Sequence, residues 1–291
     1  MKLLAKFNLL LILIFGAGGL VISQFAFKFL MNNAREQVLQ QAELMMASAR
    51  STRDYTSQQI KPLLVKTPEY QSEFLPQSVP AFSAVTVFNS MRQLYPDYSY
   101  REASLNPTNL AARAEDWEAD IIHHFADHPD QKVFVGERDT PTGRQLYLAK
   151  PISVGPACME CHSTPDAAPA AMVKKYGDSN GFGWKLDQVI ASQIVSLPMA
   201  VPVSVADAAY RRLIYYLIAT FLLTILALDA GLYLLVIRPL RRVSVTADRV
   251  SKGETDLPEL TLTGKDEITE VTASFNRMHL SLVKALKMLG D

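Results

Sequence analysis

Cys158, Cys161 and His162 stand in the order Cys-Met-Glu-Cys-His, and no other residues in the chain have types and spacing so well suited to chemistry. Two thiols three residues apart can reach the two vinyl groups of one porphyrin and become thioethers. The imidazole that follows directly is then placed under the iron, which makes Cys-x-x-Cys-His the attachment pattern of c-type haem. The sequence has no further cysteine. A thioredoxin-like redox pair needs a βαβ context, and a zinc ribbon needs a second ligand pair; the sequence offers neither. A structural disulfide is the remaining rival. The pattern predicts one covalent haem c on Cys158 and Cys161, with His162 as the proximal axial iron ligand.

The elements that position this motif are set by where the hydrophobicity lies. The 29 basic and 29 acidic side chains balance, so no nucleic-acid partner is expected. From Leu9 to Phe27 only Ser23 and Gln24 interrupt an apolar run, long enough to cross a bilayer core and longer than the apolar region of a cleaved signal peptide. A second such run, Leu213 to Ile237, ends at Arg238-Pro239 and is followed by Arg241, Arg242, Arg249 and Lys252. A basic cluster of this kind belongs in the cytoplasm, although Arg211 and Arg212 at the other end blur the charge signal. Covalent haem c attachment takes place on the outer face of the bacterial cytoplasmic membrane, which settles the expected orientation. The expected organisation is a cytoplasmic N-terminus (1–8), a first span (9–29), a periplasmic domain (30–212), a second span (213–237) and a cytoplasmic tail (238–291). Asp229 lies within the second span, either as a helix-packing or signalling contact or as a residue hydrated near the boundary.

In the tail, Leu240, Val243, Ala247 and Val250 recur at spacings of three and four, as do Ile268, Val271, Phe275 and Met278. Each set makes one apolar stripe on a helix. Two short stripes joined by a Gly/Pro connector cannot bury themselves alone and predict a parallel four-helix bundle in a homodimer. With its Pro after the span, its connector Gly, its Asp266-Glu267-Ile268 and its Phe275-Asn276-Arg277-Met278, the segment resembles the HAMP signalling linker. The sequence stops at Asp291, so the output domain is expected on another polypeptide or lost.

Between the spans, Ala34 to Leu64 reads as a long helix continuing from the first span and ended by Pro62 and Pro68. Pro80–Leu94 and Glu115–Phe125 have helical spacing. Lys132–Arg138 and Gln145–Val154 read as a β-hairpin around Pro141-Thr142-Gly143, and Phe182–Val195 as a further strand. The expected fold class is α+β for this domain, followed by an all-α tail.

Several runs in this domain form a set: Arg53-Asp54-Tyr55-Thr56, Val79-Pro80-Ala81-Phe82, Asn106-Pro107-Thr108-Asn109, Asp116-Trp117-Glu118-Ala119-Asp120, Cys158–His162 with Ser163-Thr164-Pro165, and Gly181-Phe182-Gly183-Trp184. Together they resemble the periplasmic c-type haem sensor family with a PAS-like fold. The resemblance implies one haem held against an antiparallel sheet and a role in redox or small-ligand sensing. Some members supply a Cys on the N-terminal helix as second axial ligand, and this chain has none to spare. Met46 or Met45 on that helix is a candidate distal ligand, since thioether ligation raises the haem potential; both also suit a packed core. An open site is the alternative, and His123, His124 and His128 read as surface residues on a charged helix. Arg53 and Arg101 can pair with haem propionates or form structural ion pairs. Tyr55, Phe182 and Trp184 complete the candidate pocket, the last two equally suited to the core.

The expected function is a membrane-bound haem c sensor and not an enzyme. It would detect redox state or a small ligand in the periplasm, through a redox partner or a diatomic gas. A HAMP dimer would signal to a separate cytoplasmic protein of the kinase, cyclase or chemoreceptor type. The alternative is a membrane-anchored mono-haem electron-transfer cytochrome c, which has no use for a HAMP bundle. A haem peroxidase needs a distal acid–base pair that the sequence does not identify.

Overall fold

The computed structural model describes residues 3–254, 256–262 and 264–290. Met1 and Lys2 of the expected N-terminal segment and Thr255, Thr263 and Asp291 of the expected tail lie outside them. The chain divides into two compact units: Phe27–Tyr210, and the residues through Ala26 together with those from Arg211 onward.

In chain order the elements are helices α1 (Leu3–Tyr55), α2 (Lys61–Leu64), α3 (Pro68–Ser72) and α4 (Pro80–Arg92), strand β1 (Ser99–Ser104), helix α5 (Asp116–Asp127), strands β2 (Phe134–Thr140) and β3 (Gly143–Ser153), helices α6 (Pro156–His162) and α7 (Ala170–Tyr176), strand β4 (Val189–Pro198), and helices α8 (Ala200–Leu232), α9 (Arg238–Ser251) and α10 (Glu267–Gly290).

The unit Phe27–Tyr210 is built on one antiparallel sheet of strand order β1-β4-β3-β2. Side chains alternate between its faces. The row Tyr100–Val195–Leu148–Val135 crosses all four strands on one face. It packs under Val38, Ala42, Met46 and Ala49 of α1 and under Ala84 and Phe88 of α4. The α1 residues fall at helical spacing, so one stripe of that helix is buried. Each fully buried side chain of Val, Leu or Met size contributes roughly 1.5–3 kcal/mol. The next row, Arg101–Ile194–Ala149–Phe134, lies on the opposite face. There Ala103, Ala149 and Ile194 are covered by Ile121 and Phe125 of α5.

The expected Ala34–Leu64 helix is interrupted: α1 ends at Tyr55, a π-helical turn occupies Thr56–Ile60, and α2 completes the run. Pro62 is the cause, because its ring excludes the carbonyl four residues back, on Gln58, and it has no N–H to offer. The same arrangement recurs at Tyr233–Ile237, where Pro239 follows. The expected strand Phe182–Val195 begins only at Val189. Gly181 and Gly183 have φ of 84° and 75°, and Asp187 has φ of 62°, none compatible with an extended strand. The hairpin forms as expected, with a tighter turn. β1 and the short helices α6 and α7 had no counterpart in the pattern.

Two helices are long and apolar enough to cross a membrane, α1 near the N-terminus and the helix beginning at Ala200. In the other unit Asn8 donates to Asp229 at 2.9 Å, so the carboxylate within the second apolar helix has a polar partner. In the tail, α9 ends at Ser251 and is followed by Gly253 in the left-handed region, φ 95°. The Asp266 carboxylate accepts from the Thr269 N–H at 2.9 Å ahead of α10. Asn276 clamps the connector by donating to the Leu260 carbonyl at 2.8 Å and accepting from the Leu260 N–H at 3.1 Å. Val250 and Phe275 are buried, whereas Val271 and Met278 are 48% and 59% exposed.

Candidate haem site

Helix α6 opens with Pro156 at its first position, where a missing N–H does no harm. Cys158 and Cys161 are three apart on it and so share a face. Neither is in a disulfide, and both are half-buried. Cys158 packs with Met159 and Trp184 against Val154, Ile190 and Ala191, an apolar wall at the end of the sheet. Burial first, then the Glu160 carboxylate, pushes the Cys161 thiol up, against a smaller opposing effect of Lys61. The Cys161 thiol is thus favoured in its protonated form.

His162 closes the helix. Its Nδ1 lies 2.7 Å from the Gly181 carbonyl and 3.4 Å from Thr108 Oγ1. A carbonyl can only accept, so Nδ1 carries the proton and Nε2 keeps its lone pair. Burial lowers the imidazole pKa, with the Gly181 bond pulling the other way, so the ring is held neutral. A neutral imidazole with Nδ1–H anchored to a carbonyl and Nε2 free is the form that ligates a metal. The indole of Trp184 stacks on the ring at 3.8 Å between centroids and 15° between planes.

The loop carrying Gly181 is fixed to the end of α6. Gly183 N–H donates to the Ser163 carbonyl at 3.0 Å and Trp184 N–H to the His162 carbonyl at 3.3 Å. Asn106 accepts from Gly181 N–H at 3.1 Å and donates to the Phe182 carbonyl at 3.4 Å. Gly181 cannot be replaced freely, because a Cβ there would lie 2.0 Å from Thr108 Oγ1.

The run that continues α1 through the π-helical turn into α2 meets this helix at Lys61 of α2. Lys61 pairs with Glu160 at 3.5 Å. Arg53 is hydrogen-bonded to Glu102 of β1, whose side chain is 7% exposed. Tyr100 donates to Glu102 at 2.6 Å and Gln193 to the Tyr100 hydroxyl at 2.9 Å. Burial alone would lower the Arg53 pKa; the charge and hydrogen bond of Glu102 together raise it, with Cys158 close enough to add to the effect. Burial and then Glu102 push the Tyr100 phenol up. The guanidinium is therefore committed to a buried carboxylate.

The structure brings Cys158, Cys161, His162 and Trp184 together, with Arg53 nearby. Phe182 is half-buried in the same loop. Tyr55 is 59% exposed on α1. Arg101 is on the opposite face of the sheet from Glu102, paired with Glu118 at 3.0 Å. Met46 is fully buried in the core beneath α1, and Met45 packs against the same cluster; neither belongs to the cluster around Cys158. His124 contacts Gln131 at 2.8 Å and stacks on His128, and His123 is exposed. Among the described residues no three His, Cys, Asp or Glu side chains gather as a metal cage. The donor set fits a haem nonetheless, since haem brings four nitrogens of its own and asks the chain for two thiols and one neutral imidazole. Sequence reasoning missed Asn106, Thr108 and Gly181 as positioning residues, although all three stand in runs that carried the family resemblance.

Residues 31–198 match the family described as Tll0287-like, and residues 231–284 match the HAMP domain. A similar solved structure is the crystal structure of the cyanobacterial haem-protein Tll0287, at 13% identity and a TM-score of 0.42, covering 55% of this chain and 94% of that one. No curated protein matches.

Proposed function

The chain belongs to the Tll0287-like family, and from that premise we propose that it is a membrane-bound haem c sensor. It reads redox state or a small ligand in the periplasm and signals through a HAMP dimer to a separate cytoplasmic protein. The observation that carries the reading is His162, held neutral by burial with Nδ1–H on the Gly181 carbonyl and placed directly after Cys161. Haem attached to Cys158 and Cys161 supplies a redox-active iron. The chain's own part is to hold Nε2 of His162 ready, to keep the two thiols on one face of α6 and to shield Cys158 with Trp184 and Ile190.

Lys61 of α2 links this motif to the run leading from the membrane through Glu160 of α6, and Arg53 of α1, held by Glu102 of the sheet, lies close enough to Cys158 to feel its charge. A change in charge or ligation at the motif acts on α1 through them. The antiparallel sheet with helices on both faces supports a PAS-like description of the domain. The two apolar helices and the HAMP domain are consistent with an inner-membrane protein, and haem c attachment favours a periplasmic domain with both termini cytoplasmic. A HAMP domain favours signalling over simple electron transfer and over catalysis.

The test uses the full chain in detergent, with optical spectra taken oxidised, reduced, and reduced under carbon monoxide, and with tail cross-linking measured in the same states. A c-type spectrum and cross-linking that differs between states support the sensor. A c-type spectrum with identical cross-linking in every state supports the electron-transfer cytochrome instead.

A further inference from the structure

On the α5 face of the sheet, where Ile121 and Phe125 no longer cover the strands, a partly open cleft of about 210 Å³ lies beside the first turn of α5. Its walls include Arg92, Arg101, Arg138, Trp117, Glu118 and Ile194. The charges are unevenly committed. Arg101 is held by Glu118 at 3.0 Å and also donates to the Arg113 carbonyl. Arg138 lies over the Trp117 ring, its guanidinium carbon 4.0 Å from the ring centroid. The indole is itself fixed by its N–H to Glu115 at 2.9 Å. Among the described residues neither Arg138 nor Arg92 has a carboxylate within 4.0 Å; Arg92 reaches only the Pro96 carbonyl, at 3.4 Å.

We infer that this cleft binds a small organic carboxylate, its head on Arg138 and Arg92 and its apolar body against Trp117 and Ile194. A guanidinium presents a planar fork that matches a carboxylate, and stacking on an indole fixes that fork in place before the ligand arrives. The cleft is smaller than the roughly 300–1,000 Å³ typical of drug-sized ligands, so the acid is short. The apolar wall favours an organic acid over an inorganic oxyanion. Glu115 and Glu118, which also line the cleft, oppose a second negative group there. The site does not depend on the haem reading, because Glu102, which holds Arg53, belongs to the other face of β1.

The test is calorimetric titration of sodium propionate into the full chain in detergent, with sodium chloride as the ionic control and inorganic phosphate as the competing anion. Saturable binding of propionate is expected, weakened about tenfold by Arg138→Gln, as for loss of one charge-assisted bond. Arg50→Gln, 80% exposed and outside the cleft, should leave it unchanged. Arg92→Gln, at an exposed position, provides the same reading should Arg138→Gln fail to fold. No saturable propionate binding, or equal affinity in the cleft variants and wild type, overturns the site. Tighter binding of phosphate than of propionate overturns the carboxylate assignment.

Discussion

The carbonyl oxygen of Gly181 lies 2.7 Å from Nδ1 of His162, and this contact fixes the tautomer of the one imidazole that follows the cysteine pair. The glycine is nineteen residues away in sequence and sits at φ 84°. Its N–H is held by Asn106 and its Cα faces Thr108.

Gly181→Ala should therefore disturb His162 through Thr108. Left-handed strain and the clash together should lower stability by about 1–3 kcal/mol, and the haem spectrum of the protein should show altered axial ligation. Gly177→Ala is the control, with φ 83° but nothing within 4 Å of the added Cβ. It should lower the melting temperature without changing the spectrum. Equal spectral effects from both would remove the positioning role.

Met46→Ala separates a core residue from an iron ligand. Met46 is 1% exposed beneath α1, so truncation should destabilise the domain by about 2–5 kcal/mol. The visible spectrum at a temperature where the variant is folded should match wild type. Loss of a far-red ferric sulfur-to-iron band in the variant would instead assign Met46 as distal ligand.

Much of this was legible. Alternation in Gln145–Val154 and the apolar residues Val38, Ala42 and Ala49 of the Ala34–Leu64 run placed a hairpin and a core helix, because each buries one face only, although the buried methionine of that helix is Met46 and Tyr55 is exposed. β1 was not legible: Arg101 and Glu102 are adjacent and both are paired, one to Glu118 and one to Arg53, so neither face of the strand reads as apolar. The strand expected from Phe182 failed because aromatic residues in Gly181–Trp184 serve a loop whose glycines need positive φ. Cys158, Cys161 and His162 were legible as a motif. The partners that orient His162 come from distant segments, and spacing alone carries no signal for them.

Breaking the Arg53–Glu102 pair from one side should be worse than removing both charges. Arg53→Met leaves a carboxylate with 7% exposure uncompensated except by Tyr100, and should lower stability by about 3 kcal/mol. Arg53→Met combined with Glu102→Gln should recover much of that loss in urea unfolding. Additive losses would mean that the two groups act independently.

Stability should fall as pH rises through the upper carboxyl range because of Glu118. Burial raises its pKa, against its hydrogen bond from Glu115 N–H and the charges of Arg101 and Arg138, with the Glu115 carboxylate adding to the rise. The folded state thus holds this proton more tightly than the unfolded chain. Folding takes up a proton between the two pKa values, and stability is highest below the ordinary one. Glu118→Gln should flatten this slope in urea unfolding at a series of pH values; an unchanged slope would assign it elsewhere.

Covalent haem on Cys158 and Cys161 is the central claim, and haem staining of the full chain on a denaturing gel tests it most directly. Wild-type protein should stain after boiling and retain its colour through acid–acetone extraction, and Cys158→Ser with Cys161→Ser should do neither. Wild-type protein that loses all its colour to acid–acetone, or a double variant that still stains, would contradict the account.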